Sequence, residues 1–256
     1  MIVTDHLVNI RETASKLLQD RVAIVTGASS GIGKAIGLAL AALGARPCLV
    51  GRNSQRLEEV AQLARKNSWS ARSYRADLLS ETEIRSLVAD VVRDQGGIDI
   101  LVNCAGSIHH SRHANASVSE LDALYGANVR GPYLLTQLAL PFLRVGPGQI
   151  VFINSSSGLK ARADAGQFAA TQHALRAVAD SLRDEVNSDG IRVLSVFPGR
   201  TATPRTEELF RKEGKTYRPE LLMQPQDVAA MVIHALSLPR TAEVTDISIR
   251  PLYKSY

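Results

Sequence analysis

Cysteine is scarce in this chain of 256 residues, which has only Cys48 and Cys104, each within an apolar run typical of a strand. A disulfide framework like that of small secreted proteins is therefore not expected, and we interpret both residues as buried free thiols in a reducing compartment. Long apolar runs are also lacking. No run reaches the about 18 residues that span a membrane, and Gln137 and Pro141 interrupt the apolar segment 134–143.

Charge of one sign is not strongly in excess. Lysine and arginine number 30 against 25 acidic residues, which gives a net charge of +5 spread along the chain. A dispersed positive charge suits an anionic cofactor or substrate, and we expect no nucleic-acid partner. A signal peptide is not expected either, because charged residues interrupt the N-terminus at Asp5, Arg11, Glu12 and Lys16. These absences together predict a cytoplasmic protein without a membrane partner.

A glycine-rich turn near the N-terminus is the most informative local pattern. Residues 26–33 read Thr-Gly-Ala-Ser-Ser-Gly-Ile-Gly, between the apolar run 22–25 and the segment 34–43, which has helical spacing. A strand, a tight turn and a helix in this order direct backbone N–H groups and the positive end of the helix dipole at an anion. The glycines permit a positive φ and the close approach of a pyrophosphate. Plain turns are also rich in glycine, so the neighbouring patterns must support this interpretation.

Beyond this turn, strand-like apolar runs alternate with segments of helical spacing. The predicted strands are 22–25, 47–50, 71–76, 98–103, 149–153, 192–197 and 244–249, and the predicted helices are 34–43, 55–65, 81–94, 118–143, 166–186 and 227–238. This alternation is typical of a parallel sheet covered by helices on both faces, and the length suits one large α/β domain. Residues 1–20 form an extension, either an amphipathic helix packed on the domain or on a partner subunit, or a frayed arm.

The order of these elements and motifs resembles the short-chain dehydrogenase/reductase family from about residue 20 to residue 250. Besides the glycine-rich turn, the shared motifs are Asp77 with Leu78, Asn103-Cys104-Ala105-Gly106, Asn128, Ser155, Pro198-Gly199 and Thr203. The resemblance implies a single-domain, Rossmann-type, doubly wound parallel sheet of about seven strands, with residues 21–256 as the cofactor-binding domain. It also implies a substrate lid at about residues 200–224 and a homodimer or homotetramer assembled through helices 118–143 and 166–186.

The same resemblance implies where a nicotinamide cofactor binds. The glycine-rich turn would contact the pyrophosphate, Asp77 the adenine edge, and the segment 103–106 the ribose. The motif at Pro198-Gly199 and Thr203 would contact the carboxamide side of the nicotinamide. The cofactor contacts implied in this way are Gly27, Ser29, Ser30, Gly31, Ile32, Gly33, Arg52, Asp77, Leu78, Asn103, Ala105, Gly106, Gln172, Pro198, Gly199 and Thr203.

The end of the second predicted strand favours NADP(H) over NAD(H). An acidic residue there would accept hydrogen bonds from the adenosine ribose hydroxyls and repel a 2′-phosphate. Here the strand ends in Val-Gly-Arg-Asn, and no carboxylate follows until Glu58. Arg52 offers a guanidinium that can form a bidentate, charge-assisted pair with a phosphate. The alternative is that Arg52 is a solvated turn residue.

The sequence departs from the family where the family's chemistry takes place. Thirteen residues after Ser155 stands Phe168, and four residues further stands Gln172. Family members have at the first position a tyrosine that protonates the substrate oxygen, and at the second a lysine that binds the nicotinamide ribose. Phenylalanine has no proton to donate and glutamine has no charge, and a positioned general acid contributes about 10²–10⁴ in rate. We therefore expect carbonyl reduction to be severely slowed unless another group supplies the proton.

The loop after the fourth predicted strand offers a substitute for that acid. It contains His109, His110 and His113, and it leaves the sheet at the edge where ligands of such folds bind. We hypothesise that one of these histidines replaces the tyrosine; an exposed polar loop is the alternative, and a metal site is not predicted. His173 is unsuitable, because it lies about 140° around its helix from the tyrosine position. The residues considered for catalysis are Ser155, Asn128, Phe168, Gln172, His109 and His110.

The predicted lid is rich in basic residues. Arg200, Arg205, Arg211, Lys212, Lys215 and Arg218 outnumber Glu207, Glu208 and Glu213. Such a segment suits an acidic or carrier-bound small-molecule substrate, although a solvated surface has the same composition.

Three functions remain open. The intact glycine-rich turn, Ser155 and Asn128 favour an NADP(H)-dependent oxidoreductase that acts on a small carbonyl or alcohol through a non-standard proton path. The residues at the tyrosine and lysine positions, Phe168 and Gln172, favour a catalytically degenerate nucleotide-binding sensor, scaffold or partner subunit. A lyase or isomerase on the same fold is the third function, and the fold alone does not select among them.

Overall fold

The structure, a computed structural model, describes residues 16–66 and 70–253. Within these residues, seven strands form one sheet in the order β3-β2-β1-β4-β5-β6-β7, and all neighbours are parallel. The strands are β1 (Val22–Thr26), β2 (Arg46–Gly51), β3 (Arg72–Arg75), β4 (Ile100–Asn103), β5 (Gln149–Ile153), β6 (Arg192–Pro198) and β7 (Asp246–Ile249). The predicted doubly wound, Rossmann-type α/β fold is confirmed.

Helices connect the strands and cover the sheet. Among the described residues, the α-helices that follow β1 are α1 (Gly31–Ala42), α2 (Ser54–Arg65), α3 (Glu81–Gln95), α4 (Val118–Tyr125), α5 (Gly131–Leu143), α6 (Gly166–Val186), α7 (Pro204–Lys212) and α8 (Pro225–Leu236). Local signals set several of their ends. The side chain of Asn53 accepts a hydrogen bond from the N–H of Arg56 at the start of α2, and Gly96, with a φ of 85°, ends α3.

Two apolar cores lie on opposite faces of the sheet. Successive side chains of a strand point to opposite faces, so Val22 and Ile24 of β1 join one core while Ala23 and Val25 join the other. The core around Ala23 includes apolar residues of α1, α2 and α8, and the core around Ile24 includes those of α3, α5 and α6. Burial on both faces explains why β1 is uniformly apolar up to its last residue.

The end of the predicted N-terminal extension packs on the domain. Leu18 is fully buried in the core around Ala23, and the N–H of Asp20 donates to the carbonyl oxygen of Gly44 at 2.9 Å. These contacts favour the packed interpretation for residues 16–20. Residues 1–15 of the extension lie outside the described residues.

The long helix predicted over 118–143 is divided by a π-helical segment, Gly126–Arg130. In it the N–H of Gly131 donates to the carbonyl oxygen of Gly126, five residues back. Pro132 follows in α5 and has no N–H for the usual bond to the carbonyl of Asn128, which is compatible with this local widening. Such segments are frequent at functional sites, and Asn128 lies within this one.

The polar segment 200–224 contains more regular structure than its composition predicts. It holds α7, a short 3₁₀ turn at Pro219–Leu221, and a single parallel bridge between Thr201 and Met223 that joins its two ends. The apolar residues Leu209 and Phe210 are buried. Within residues 16–66 and 70–253, every helix is too short or too polar to cross a membrane.

Candidate active site

Two adjoining clefts open at the carboxyl ends of the central strands. The wide cleft has a volume of about 780 Å³ and runs past the ends of β1, β4, β5 and β6. The narrow cleft has a volume of about 340 Å³ and lies over the ends of β1 and β2. Residues that line both clefts include Gly27, Ser30, Ala105, Gly106 and Arg205. Because the sheet continues in opposite directions from β1 and β4, this is the crevice where folds of this type bind ligands.

The glycine-rich turn gives the clefts an open helix N-terminus. Gly27 and Gly31 have φ values of 68° and 54°, and a Cβ on Gly27 would lie 3.0 Å from the Cα of Ala105. Ser30 precedes α1, its side chain makes no capping hydrogen bond, and no acidic residue stands in the first turn. The N–H groups at the start of α1 therefore remain available to an anionic ligand.

Thr26 fixes the loop after β4 against this turn. Its Oγ1 accepts hydrogen bonds from the N–H groups of Cys104 and Ala105, at 2.9 and 3.0 Å. Asn103, which was expected at the cofactor ribose, lies in neither cleft; its Nδ2 donates to Oγ1 of Thr136 at 3.0 Å. Of the predicted cofactor contacts, Asn103 is the one that the structure leaves outside both clefts.

Asn128 joins three elements at the wall of the wide cleft. Its Oδ1 accepts from the N–H of Ser107 at 2.6 Å, and its Nδ2 donates to the carbonyl oxygen of Ser107 at 2.9 Å. The same Nδ2 lies 3.0 Å from Oγ1 of Thr171 in α6. Asn128 is 2% exposed, so its amide holds the histidine-containing loop and α6 in fixed positions.

Ser155, Phe168 and Gln172 all line the wide cleft. Oγ of Ser155 accepts a hydrogen bond from the N–H of Ser157 at 3.1 Å. Phe168 is 8% exposed and Gln172 is 5% exposed. Neither side chain can carry a charge or give up a proton, so the chemistry of this wall depends on groups from other elements.

His110 is the histidine of the predicted loop that reaches this wall. Its ring centroid lies 6.1 Å from that of Phe168, and its Nδ1 lies 2.9 Å from Oε1 of Glu213. Nε2 of His110 is buried and has no hydrogen-bond partner among the described residues. An imidazole held by a carboxylate through one nitrogen, with the other unpartnered, is an arrangement that suits general acid–base catalysis.

The other histidines have different surroundings. Nε2 of His109 lies 3.1 Å from Oε1 of Glu120, and His109 lines the narrow cleft. His113 packs beside Gly166 at the start of α6. His173 contacts the carbonyl oxygen of Ala169 through Nδ1, at 2.9 Å. No group of His, Cys, Asp and Glu that could hold a metal ion is found in the part of the chain that the structure describes.

Glu213 is a site residue that the sequence does not single out, because there it only dilutes the basic charge of segment 200–224. Nζ of Lys215 lies 2.7 Å and Nη2 of Arg200 3.6 Å from its Oε2. Burial acts to raise the pKa of Glu213, but hydrogen bonds from Lys215 and His110 and the charges of Lys215 and Arg200 together hold it below its ordinary value. Glu213 is therefore ionised near neutral pH and accepts the proton on Nδ1 of His110.

The narrow cleft contains the residues expected at the adenosine end of a cofactor. Ser29, Arg52, Asp77 and Leu78 line it, and Oδ1 of Asp77 accepts from the N–H of Leu79 at 3.0 Å. Arg52 is exposed and forms no ion pair with any residue that the structure describes. Arg205 also lines this cleft, which its place in the sequence does not indicate.

The end of β6 lies beside the glycine-rich turn in the wide cleft. Pro198, Gly199 and Thr203 line this cleft together with Gly31, Ile32 and Gly33. Oγ1 of Thr203 accepts from the N–H of Thr206 and so begins α7. A Cβ on Gly31 would lie 3.0 Å from Cγ2 of Thr203, so glycine is needed where α7 approaches the turn.

Comparison with known proteins gives one consistent result. A family model described as short chain dehydrogenase matches residues 21–214. An uncharacterized oxidoreductase of Staphylococcus epidermidis is 34% identical over 236 residues, which cover 92% of this chain and 99% of that protein.

Two solved structures are also similar. An alcohol dehydrogenase from the archaeon Thermococcus sibiricus, complexed with 5-hydroxy-NADP, has a TM-score of 0.83 and 26% identity, and covers 92% of this chain and 98% of its own. A short chain dehydrogenase from Burkholderia cenocepacia in complex with NADP has a TM-score of 0.80 and 29% identity, and covers 91% of this chain and 97% of its own.

Proposed function

We propose, from the premise that this chain belongs to the short chain dehydrogenase family, that it transfers hydride between NADP(H) and a small carbonyl or alcohol. The observation that carries this proposal is the pair formed by His110 and Glu213 beside Phe168. It supplies a proton-transferring group at the wall where the family's tyrosine is missing. Ser155 would donate a hydrogen bond to the same substrate oxygen.

The residues of the two clefts fit a nicotinamide dinucleotide phosphate. The uncapped N-terminus of α1 and the close approach permitted at Gly27 suit a pyrophosphate. Arg52, which has no acidic partner in the described part of the chain, suits a 2′-phosphate. Bound NADPH would supply the hydride. Gln172 would offer its amide to the nicotinamide ribose without the charge that lysine gives in the family.

The proton path follows from the hydrogen bond of His110. With Nδ1–H donated to Glu213, Nε2 carries a proton only in the imidazolium form. Nε2 is buried, so the atoms that cover it would have to shift for Nε2 to protonate the carbonyl oxygen during reduction. In the reverse direction the neutral ring would accept the proton of an alcohol at Nε2. Asn128 would act as a positioning residue, because its amide holds the loop that carries His110.

A nucleotide titration tests the cofactor part of this proposal. NADPH fluorescence should rise on binding at low micromolar protein, with NADH titrated in parallel, and NADPH should bind at least about tenfold tighter through the phosphate contacts of Arg52. Equal or tighter binding of NADH would overturn the NADP(H) preference.

Substitution of His110 tests the proton path. The His110→Gln variant, assayed by NADPH oxidation with a panel of aliphatic and aromatic aldehydes and ketones, should lose about 10²–10⁴ in kcat while its affinity for NADPH stays unchanged. His173→Gln is the control, because His173 lies in α6, lines neither cleft and contacts the carbonyl oxygen of Ala169, and this variant should stay within a few-fold of the wild type. Unchanged turnover by the His110→Gln variant would refute the assignment.

A nucleotide-binding sensor, scaffold or partner subunit is the second candidate, and the observation that favours it is the absence of an ionisable group at Phe168 and Gln172. It requires selective NADPH binding with no turnover of any carbonyl in the panel by the wild type. A lyase or isomerase would instead convert its substrate without net oxidation of NADPH.

We also propose an anionic substrate and an oligomer. The described residues of the wide cleft include five cationic side chains, Arg112, Arg162, Arg200, Arg205 and Lys215, against the two carboxylates of Asp164 and Glu213.

Tyr125 and Tyr133, about half exposed on or beside the helices of the expected dimer or tetramer contact, support self-association. A cytoplasmic location belongs to the same proposal, because Cys48 and Cys104 are both unbridged.

A further inference from the structure

We propose that Arg205, from helix α7 of segment 200–224, forms with Arg52 a two-guanidinium site in the narrow cleft that binds the 2′-phosphate of NADP(H). The inference rests on the proposed NADP(H) function and deepens it. It makes a residue of segment 200–224 a determinant of cofactor selectivity, in addition to the arginine at the end of β2.

The path of the backbone brings Arg205 to the nucleotide side of the clefts. A Cβ on Gly31 of the glycine-rich turn would lie 3.0 Å from Cγ2 of Thr203, and Thr203 is the N-terminal cap of α7. Arg205 is the second residue of that helix. It lines both clefts together with Gly27 and Ser30, whereas Arg211 in the last turn of α7 is 72% exposed and pairs with Glu208.

The charges around Arg205 leave a place for an anion. The pKa of the Arg205 guanidinium is lowered, first because the surrounding cleft atoms displace water from it and second because the like charge of Arg52 is nearby, although the residue as a whole keeps a solvent-exposed face. Neither arginine forms an ion pair with a residue that the structure describes. Two like charges that face one cleft repel each other, and a phosphate monoester, with a charge of about −1.5 to −2, would remove that repulsion.

The carboxylates of the narrow cleft do not neutralise this pair. Glu120 contacts His109 at 3.1 Å and accepts the N–H of Ser117 at the start of α4. Asp77 accepts the N–H of Leu79. Both acidic side chains thus have other partners, and among the described residues neither forms an ion pair with Arg52 or Arg205. A bidentate guanidinium on each side of one phosphate would give a selectivity that a single arginine does not supply.

Titrations with four nucleotides test the inference. The variants are Arg205→Gln and Arg52→Gln, with Arg211→Gln as the matched control from the same helix, and the nucleotides are NADPH, NADH, 2′,5′-ADP and ADP. We expect Arg205→Gln to weaken NADPH and 2′,5′-ADP about ten- to hundredfold and to leave NADH and ADP within about twofold. Arg205→Lys should fall between the wild type and Arg205→Gln, and Arg211→Gln should bind all four as the wild type does.

Three other outcomes would contradict this inference, and each has a different meaning. Equal weakening of all four nucleotides by Arg205→Gln would mean that Arg205 binds the 5′-phosphate, which all four share, and not the 2′-phosphate. Unchanged NADPH affinity, with a wild type that still selects NADPH, would leave Arg52 alone as the determinant and the proposed function intact. A wild type that binds neither NADPH nor NADH would overturn the proposed function itself. Thermal denaturation of each variant checks that the loss of affinity is not a loss of folding.

Discussion

In Gly33→Ala, a gain in helix stability opposes a steric clash with the glycine-rich turn, and the structure allows the two effects on the free energy of unfolding to be compared. Gly33 lies in the first turn of α1, where alanine raises intrinsic helix stability by about 1 kcal/mol. Against this, the added Cβ would lie 2.5 Å from the carbonyl oxygen of Gly27, 2.8 Å from its carbonyl carbon and 3.0 Å from the oxygen of Thr26. These are backbone atoms of the glycine-rich turn and cannot rotate away as a flexible side chain can.

The steric effect should therefore dominate. Overpacking costs about 1–3 kcal/mol, and in a protein of this size each 1 kcal/mol corresponds to about 2–4 °C in Tm. After the gain of about 1 kcal/mol in helix stability, a net loss of up to about 2 kcal/mol remains, so we expect the Tm of Gly33→Ala to fall by up to about 8 °C. If the turn moves to relieve the contact, the N–H groups of α1 move too, and NADPH affinity should fall at least about tenfold, because hydrogen bonds to a charged phosphate are weakened.

The assays are thermal denaturation and NADPH titration, with Gly146→Ala as the matched control. A Cβ on Gly146 would have nothing within 4 Å, and Gly146 has no positive φ, so this variant should match the wild type in both assays. A Tm for Gly33→Ala at or above that of Gly146→Ala, together with unchanged NADPH affinity, would refute the steric argument.

Three further outcomes are expected. Asn128→Ala removes a buried amide that holds Ser107 through two hydrogen bonds. Denaturant titration should show a free energy of unfolding about 2–4 kcal/mol lower than that of the wild type. A decrease of less than about 0.5 kcal/mol would contradict this expectation. Burial, as the largest cause, raises the pKa of Cys48 to about 12. In a variant without the other cysteine, Ellman's reagent at pH 8 should therefore leave the folded protein almost unlabelled and label it fully in denaturant. The pKa of Glu213 is lowered on folding, so its stabilising effect is present above its ordinary value of 4.5 and is lost as pH falls through the lowered value. The Tm difference between wild type and Glu213→Gln should thus shrink from pH 6 to pH 3, and a constant difference would contradict it.

Local patterns were enough to predict the fold. The β5 and α6 ranges, Gln149–Ile153 and Gly166–Val186, coincide with the predicted ones, because a short apolar run and an amphipathic period are both properties of neighbouring residues. The glycine-rich turn was predicted for the same reason. The π-helical segment was not predicted, since apolar spacing continues through Gly126–Arg130 and only hydrogen-bond geometry distinguishes it.

The parts of the site that were not predicted depend on contacts between distant segments. His110 and Glu213 are 103 residues apart in sequence, and nothing near either residue indicates the other. The sequence alone therefore does not distinguish His110 from the other histidines of its loop. Arg205 was counted with the other basic residues of its segment, because only the position of α7 against the glycine-rich turn separates it from Arg211. Asn103 fills its place in the motif, yet its side chain points to Thr136 rather than to a cleft.

Transfer of deuterium from NADPH labelled at C4 of the nicotinamide tests the central claim most directly. The wild type and a Phe168→Tyr/Gln172→Lys variant would be incubated with NADPH labelled on either face and the same carbonyl panel, and the alcohols analysed by mass spectrometry. We predict that the wild type transfers one deuterium to the carbonyl carbon of at least one compound, and that His110→Gln transfers far less. The contradicting result has two parts: the Phe168→Tyr/Gln172→Lys variant reduces a carbonyl of the panel, and the wild type with bound NADPH transfers no deuterium from either face to that carbonyl. This result would contradict the proposed proton path and leave a nucleotide-binding protein without hydride transfer.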